Sequence, residues 1–303
     1  ISFEIPSGSV VGFIGANGAG KTTTMRMLAT LDQPDSGKAF IKGYETTVYP
    51  DKIRDILGWM PDSYGAYAGM TVLEYLDFFA RALGFTKADR TRRVADVMEF
   101  TGLTPLAERF MNKLSKGQGQ RLCLGRALIH DPAVMILDEP AAGLDPQARV
   151  ELKRLIRILS EEGKTIFISS HILAELSEMC DTMLFVNNGS IIHHGSAESL
   201  LHGSGASATY NVRVIGELGP ISQWCDVTPG VNLLEEVAGG VRIGLESDEP
   251  QDIALALQRM IGAGHQVTEF HREARKLEDA FIEMLQGENP PSSPPPLPPV
   301  PTA

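Results

Sequence analysis

The chain of 303 residues carries 27 Lys and Arg against 38 Asp and Glu, a formal net charge of −11, and is 43% hydrophobic. That length leaves room for about two domains, and the composition suits a folded α/β protein rather than a disordered one. The acidic balance weighs against general affinity for nucleic acid or anionic lipid, no signal peptide opens the chain, and no apolar run approaches the ~18–20 residues that span a bilayer.

The chain begins Ile1-Ser2-Phe3-Glu4-Ile5, without Met and in strand-like sequence, so a preceding segment is expected. Residues 10–14 form a short apolar run and read as a buried strand. Gly15-Ala16-Asn17-Gly18-Ala19-Gly20-Lys21-Thr22 then fits G-x-x-x-x-G-K-[ST], a loop that binds nucleoside triphosphates. Its glycines let backbone N–H groups turn inward on an anion, and a helix over 21–31 aims its positive end at the charge. Lys21 is expected to reach the β- and γ-phosphates and the Thr22 hydroxyl to ligate Mg²⁺. Gly15, Asn17, Gly18, Gly20 and Thr23 complete the phosphate-binding set. Many enzymes share this loop, so alone it says only that a nucleotide binds.

Residues 38–41 and 53–60 have mixed strand and turn character. From 71 to 126 the pattern turns helical, with Val72, Leu76, Phe79 and Leu83 three to four residues apart, which predicts an all-helical insert between strands. Residues 134–137 read as a second buried strand, ending at Asp138-Glu139-Pro140. Asp145-Pro146 opens a helix, with Asp as N-cap and Pro at the first helical position, running to about Glu162. Residues 165–169 are a third apolar strand, leading into Ser170-His171. Strands over 182–186 and 191–194 flank Asn187-Asn188-Gly189-Ser190, a hairpin turn. His193 and His194 point to opposite faces of their strand and make no metal site.

A linker is expected at Gly203-Ser204-Gly205. Beyond it, strands over 209–215, 231–238, 241–245 and 266–271, with helices over 253–261 and 276–285, make a small α+β domain. Residues 290–303 are mostly proline and read as a polyproline-like tail reaching roughly 40 Å. Cys123, Cys180 and Cys225 are widely spaced and form no C-x-x-C, so they read as isolated thiols in a reducing cytosol.

Hydrolysis of a nucleoside triphosphate needs phosphate positioning, a metal, a base for water and a sensor of the γ-phosphate. Asp138, at the end of its strand, is the candidate to hold Mg²⁺, directly or through water. Glu139 is the candidate to polarise the attacking water. His171, at another strand end, takes a γ-phosphate hydrogen bond; Ser170 cannot be its nucleophile, because adjacent side chains do not form a triad. Asn112-Lys113-Leu114-Ser115 lacks the Asp of a guanine-reading N-K-x-D, which disfavours GTP.

Taken in order, the phosphate loop, Leu114-Ser115-Lys116-Gly117-Gln118, Asp138-Glu139, Ala142-Gly143-Leu144-Asp145 and His171 resemble the ATP-binding subunit of an ABC transporter over about residues 1–201. The resemblance implies an α/β fold: a P-loop NTPase (ABC ATPase) core over 1–202 with a helical subdomain at 71–126. An accessory domain would follow at 206–286 and the Pro-rich tail at 287–303. It implies ATP and Mg²⁺ as cofactors and a head-to-tail dimer, of like or unlike subunits, with two ATP molecules sandwiched between them. Ser115 and Gly117, with Gln118, would contact the γ-phosphate held by the opposite subunit, and Asp145 would couple the two sites. The energy would drive a separate transmembrane permease, whose cytoplasmic helix would be received by residues 63–70 and the helical insert. That places the chain at the cytoplasmic face of the membrane. Leu277-Glu278-Asp279-Ala280-Phe281 resembles the accessory domain of antibiotic- and drug-export ATPases of the daunorubicin-resistance type, which favours export.

Three positions depart from the pattern. Asp62 stands where Gln is usual; an ionised carboxylate only accepts hydrogen bonds, but its oxygens still serve as a Mg²⁺ ligand. Lys116 replaces a Gly and adds positive charge, and Ala142 stands where Ser is frequent. The adenine-stacking aromatic of the family normally lies upstream of the phosphate loop and is assigned to no residue of this chain; Phe13 is assigned to the core. The alternative is a soluble ABC ATPase acting on DNA or ribosomes. The single phosphate loop, the missing coiled coil and the acidic charge oppose it, so no nucleic acid partner is expected.

Overall fold

Val10–Ile14 (β1) has no polar side chain and is buried at every position, as a strand covered on both faces of a parallel sheet must be. The computed structural model of the chain describes residues 1–196, 199, 208–273, 277 and 281, apart from 64, 66, 68 and 248. The described residues form two compact units, before and after residue 198.

The first unit is built on β1 and Leu57–Met60 (β4), Val134–Leu137 (β5), Thr165–Ser170 (β6), Thr182–Asn187 (β7) and Ser190–Gly195 (β8), in the order β4-β5-β6-β1-β7-β8. All neighbours are parallel except β7 and β8. Those two form the expected hairpin, with Asn188 (φ 45°) and Gly189 (φ 72°) both left-handed at its turn, the geometry that matches strand twist. Phe40–Ile41 (β2) and Tyr44–Glu45 (β3) make a separate small ribbon. Phe13 stacks on Phe167 at 5.1 Å between ring centroids and is a core residue.

Around the sheet lie Lys21–Leu28 (α1), Pro50–Ile56 (α2), Val72–Ala82 (α3), Lys87–Phe100 (α4), Lys116–Leu128 (α5), Pro146–Glu161 (α6) and Leu173–Ser177 (α7). The helix after the phosphate loop stops at Leu28, short of the expected residue 31, because Thr30 turns left-handed at φ 59°. Residues 53–60 are the end of α2 and then β4. The overlooked helix start was Pro50, at a first-turn position where its missing N–H costs nothing. The insert is helical as expected. Thr71 and Glu74 form a capping box at the start of α3. Its last helix, α5, continues to Leu128 and packs on β4, where a Cβ on Gly58 would collide with the Ala127 carbonyl. Asp145 caps α6, accepting from the Ala148 N–H at 2.8 Å.

The second unit runs Ala208–Val214 (β9), Gly219–Val227 (α8), Val231–Val237 (β10), Gly240–Leu245 (β11), Pro250–Gly262 (α9) and Val267–Arg272 (β12). Its sheet is antiparallel in the order β10-β11-β9-β12, a βαββαβ ferredoxin-like arrangement. Helix α8 was not expected: Pro220 sits in its first turn, and Ile221 and Cys225 pack into the core. The expected linker at 203–205, the helix over 276–285 (apart from Leu277 and Phe281) and the tail over 287–303 lie outside the described residues.

Candidate active site

The phosphate loop leaves β1 beside β7, and a Cβ on Gly15 would collide with the Val186 carbonyl. Only glycine fits there. Gly18 (φ 82°) and Gly20 (φ 103°) take left-handed backbone conformations, and an added Cβ at either meets nothing within 4 Å, so this stretch faces open space. Gly20 is the N-cap of α1 and supplies no side-chain cap. The first N–H groups of the helix therefore stay available to an anion. The Gly189 N–H donates to the Ala19 carbonyl at 3.1 Å, tying the loop to the β7–β8 hairpin. Lys21 is buried, and its ammonium donates to the carbonyls of Gly15 at 2.7 Å and Ala16 at 3.3 Å. Asn17, Thr22 and Thr23 are exposed.

Asp138 follows β5, and its N–H donates to the Met60 carbonyl at 2.8 Å, extending the pairing with β4. Its carboxylate is buried. Oδ1 accepts from the Ser169 hydroxyl at 2.5 Å, and Oδ2 has no hydrogen-bond partner. Glu139 is held left-handed at φ 48°, which costs a non-glycine residue about 1–2 kcal/mol. Its N–H donates to the Ser169 Oγ at 2.8 Å. The turned backbone directs the Glu139 carboxylate between two partners: Lys21 Nζ lies 3.4 Å from Oε1 and His171 Nδ1 lies 2.8 Å from Oε2. Lys21, Asp138, Glu139 and His171 thus gather at the C-terminal ends of β1, β5 and β6, where open α/β sheets place their sites.

Other expected site residues stand apart from this group. Asp62 is exposed two residues beyond β4, and its backbone carbonyl, not its carboxylate, accepts from Gln120 Nε2 at 3.3 Å. No hydrogen bond or ion pair joins its carboxylate to Thr22 or Asp138. Ser115 caps α5, accepting from the Gln118 N–H at 3.3 Å while Gln118 Oε1 accepts from the Ser115 N–H at 3.0 Å. A Cβ on Gly117 would come within 2.7 Å of the Ala148 Cβ on α6, so this glycine serves close helix packing. No hydrogen bond joins Ser115, Gly117 or Gln118 to the phosphate loop of the same chain. The Lys116 ammonium rests against Gly143, where a Cβ would collide with it.

Sequence reasoning missed Ser169, whose hydroxyl links the Asp138 carboxylate to the Glu139 backbone, and Gln120, which holds the Asp62 backbone. A polar residue closing an apolar strand was the available signal for Ser169. The cysteines take no part: burial pushes the thiols of Cys123 and Cys225 up to about 11 and that of Cys180 up to about 12, leaving them protonated and unreactive at neutral pH.

The family profile described as "ABC transporter" matches residues 1–142. The chain is 36% identical over 201 residues to the ABC transporter ATP-binding protein NatA of Bacillus subtilis, covering 66% of this chain and 82% of that protein. It is 33% identical over 288 residues to the Nod factor export ATP-binding protein I of Ralstonia nicotianae, covering 94% of this chain and 87% of that one. Among solved structures it is similar to cbiO1 from Clostridium perfringens, described as part of the ABC transporter complex cbiONQ. That match has a TM-score of 0.61 and 26% identity over 67% of this chain and 82% of the other. With its phosphate loop, carboxylate pair and histidine assembled on one sheet edge, the chain belongs to the ABC transporter ATP-binding proteins, ATPases of the P-loop NTPase fold.

Proposed function

We propose that the chain is the ATP-hydrolysing subunit of an exporter-type ABC transporter, working as a dimer on a separate transmembrane permease. The observation that carries this reading is the convergence of Lys21, Glu139 and His171 within 3.4 Å contacts at one sheet edge. Export is favoured by the relative named for Nod factor export, which matches 94% of this chain. Among the described residues no helix is long and apolar enough to cross a membrane, so we assign attachment at the cytoplasmic face to the permease. The same reading divides the chain into an ATPase domain over 1–202, an accessory domain over 206–286 and a tail over 287–303.

Lys21 would exchange its carbonyl contacts for β- and γ-phosphate oxygens, cradled with them by the N–H groups of Gly18 to Thr23. Glu139 would take the proton of the attacking water. A ring that donates to Glu139 from Nδ1 presents Nε2 on its far edge, and His171 donates to the γ-phosphate from that edge when both nitrogens carry a proton. The unpartnered Asp138 Oδ2 and the exposed Thr22 hydroxyl are hard oxygen donors that fit Mg²⁺, with Asp62 contributing through water. Mg²⁺ held there would supply positive charge that offsets the charge developing on the phosphate oxygens. Ser115, Gly117 and Gln118, unconnected to their own phosphate loop, would close over the nucleotide of the second subunit.

The test is ATP hydrolysis by the full chain, alone and with the membrane protein encoded beside it, reconstituted in lipid. Stimulation by that protein, abolished by Glu139→Gln, is the expected result. Robust turnover indifferent to any membrane protein would replace this reading with that of a soluble ABC ATPase.

A further inference from the structure

One buried charge has no role in the machinery above. Glu175, in α7, has a side chain only 3% exposed, and a carboxylate so placed needs partners to offset its lost hydration. Its Oε2 accepts from the Ser170 hydroxyl at 3.2 Å. The same Ser170 oxygen accepts from the Ile172 N–H at 3.0 Å. One hydroxyl therefore braces the backbone on both sides of His171, and Glu175 orients that hydroxyl.

The other oxygen looks toward α6. Glu175 Oε1 lies 3.3 Å from Arg149 Nε, at an angle that leaves both atoms without an aligned hydrogen bond. Arg149, in the first turn of α6, also donates to the Leu144 carbonyl at 3.4 Å. Leu144 belongs to Ala142-Gly143-Leu144-Asp145, whose last residue caps the same helix. A contiguous path thus runs from His171 through Ser170, Glu175 and Arg149 to the 142–145 loop.

We propose that Glu175 is a positioning residue for ATP hydrolysis: through Ser170 it sets the backbone of His171, while its ion pair with Arg149 offsets the burial of its charge. This rests on the γ-phosphate role proposed for His171. The two halves of the carboxylate have separable chemistry. Ser170 requires only an acceptor, whereas Arg149 requires a charge. Glu175→Gln keeps the acceptor and removes the charge; Glu175→Ala removes both.

Steady-state ATP hydrolysis by the full chain, with the melting temperature of each variant recorded alongside, tests the assignment. Glu175→Ala should lower kcat about tenfold while KM for ATP stays within about twofold, because the phosphate loop is untouched. Glu175→Gln should recover most of that kcat, and Ser170→Ala, which carries the test if Glu175→Ala fails to fold, should reproduce the loss. Wild-type kcat in Glu175→Ala, a loss that Gln does not recover, or a rise in KM matching the fall in kcat would each overturn the proposal. A wild-type chain that binds ATP without turnover would overturn this proposal together with the functional reading. Wild-type turnover that Glu139→Gln stops and Glu175→Ala leaves intact would overturn this one alone.

Discussion

The Glu139 carboxylate lies 2.8 Å from Nδ1 of His171 although 32 residues separate them in the chain. The contact exists because β5 and β6 are parallel neighbours, so both side chains leave the sheet at the same end. With Lys21 on its other oxygen, Glu139 is positioned by two groups that also face the phosphates in the proposed mechanism.

Replacing the proposed base is the most direct check on that arrangement. Glu139→Gln keeps the shape of the side chain and its contact with His171 but cannot accept a proton, so hydrolysis should slow by at least ~10². Binding of ATP should persist, and an ATP-bound dimer should accumulate on size-exclusion chromatography. Turnover near the wild-type rate would remove Glu139 from the base role.

Ser169 holds both carboxylate positions with one hydroxyl. Ser169→Ala would leave the Glu139 N–H without its acceptor and the buried Asp138 carboxylate without its donor, at a cost of about 1–3 kcal/mol. The expected outcome is a lower melting temperature together with reduced kcat. An unchanged kcat would mean that the strand end alone sets the two residues.

Asp62 separates metal from loop chemistry. If its carboxylate reaches Mg²⁺ through water, Asp62→Ala should raise the Mg²⁺ concentration needed for half-maximal hydrolysis. The Gln120 contact is to the backbone carbonyl and survives the substitution. The same Mg²⁺ requirement in both proteins would leave Asp62 as loop structure.

His130 makes stability depend on pH. Burial holds its pKa below the ordinary value of 6.5; Nε2 lies 3.0 Å from the Leu57 carbonyl, and the buried Nδ1 has no partner for a second proton. The unfolded chain therefore binds the proton more readily than the folded one. This stabilisation is fully present above about pH 6.5 and is lost as pH falls through that value toward the lower folded-state pKa. The drop in melting temperature between pH 7.5 and pH 5.5 should be smaller in His130→Gln than in the wild type. Equal drops would assign the acid sensitivity to other groups.

The features readable along the chain are local ones, whose physics closes within a few consecutive residues. The phosphate loop, the Asp145-Pro146 helix start and the Asn188-Gly189 turn each depend on their own backbone angles and hydrogen bonds, and each was legible. Boundaries were less so, as Leu28 and Pro50 show, because a left-handed Thr30 and a first-turn proline are decided by where the chain must go next. Tertiary structure alone decided the rest. It brought Glu139 to His171, gave Ser169 its two hydrogen bonds, set Glu175 between Ser170 and Arg149, and made Gly117 a packing residue against Ala148. Those relationships are pairings between residues distant in sequence, set by strand order and helix approach, and a one-dimensional pattern carries no distance between them.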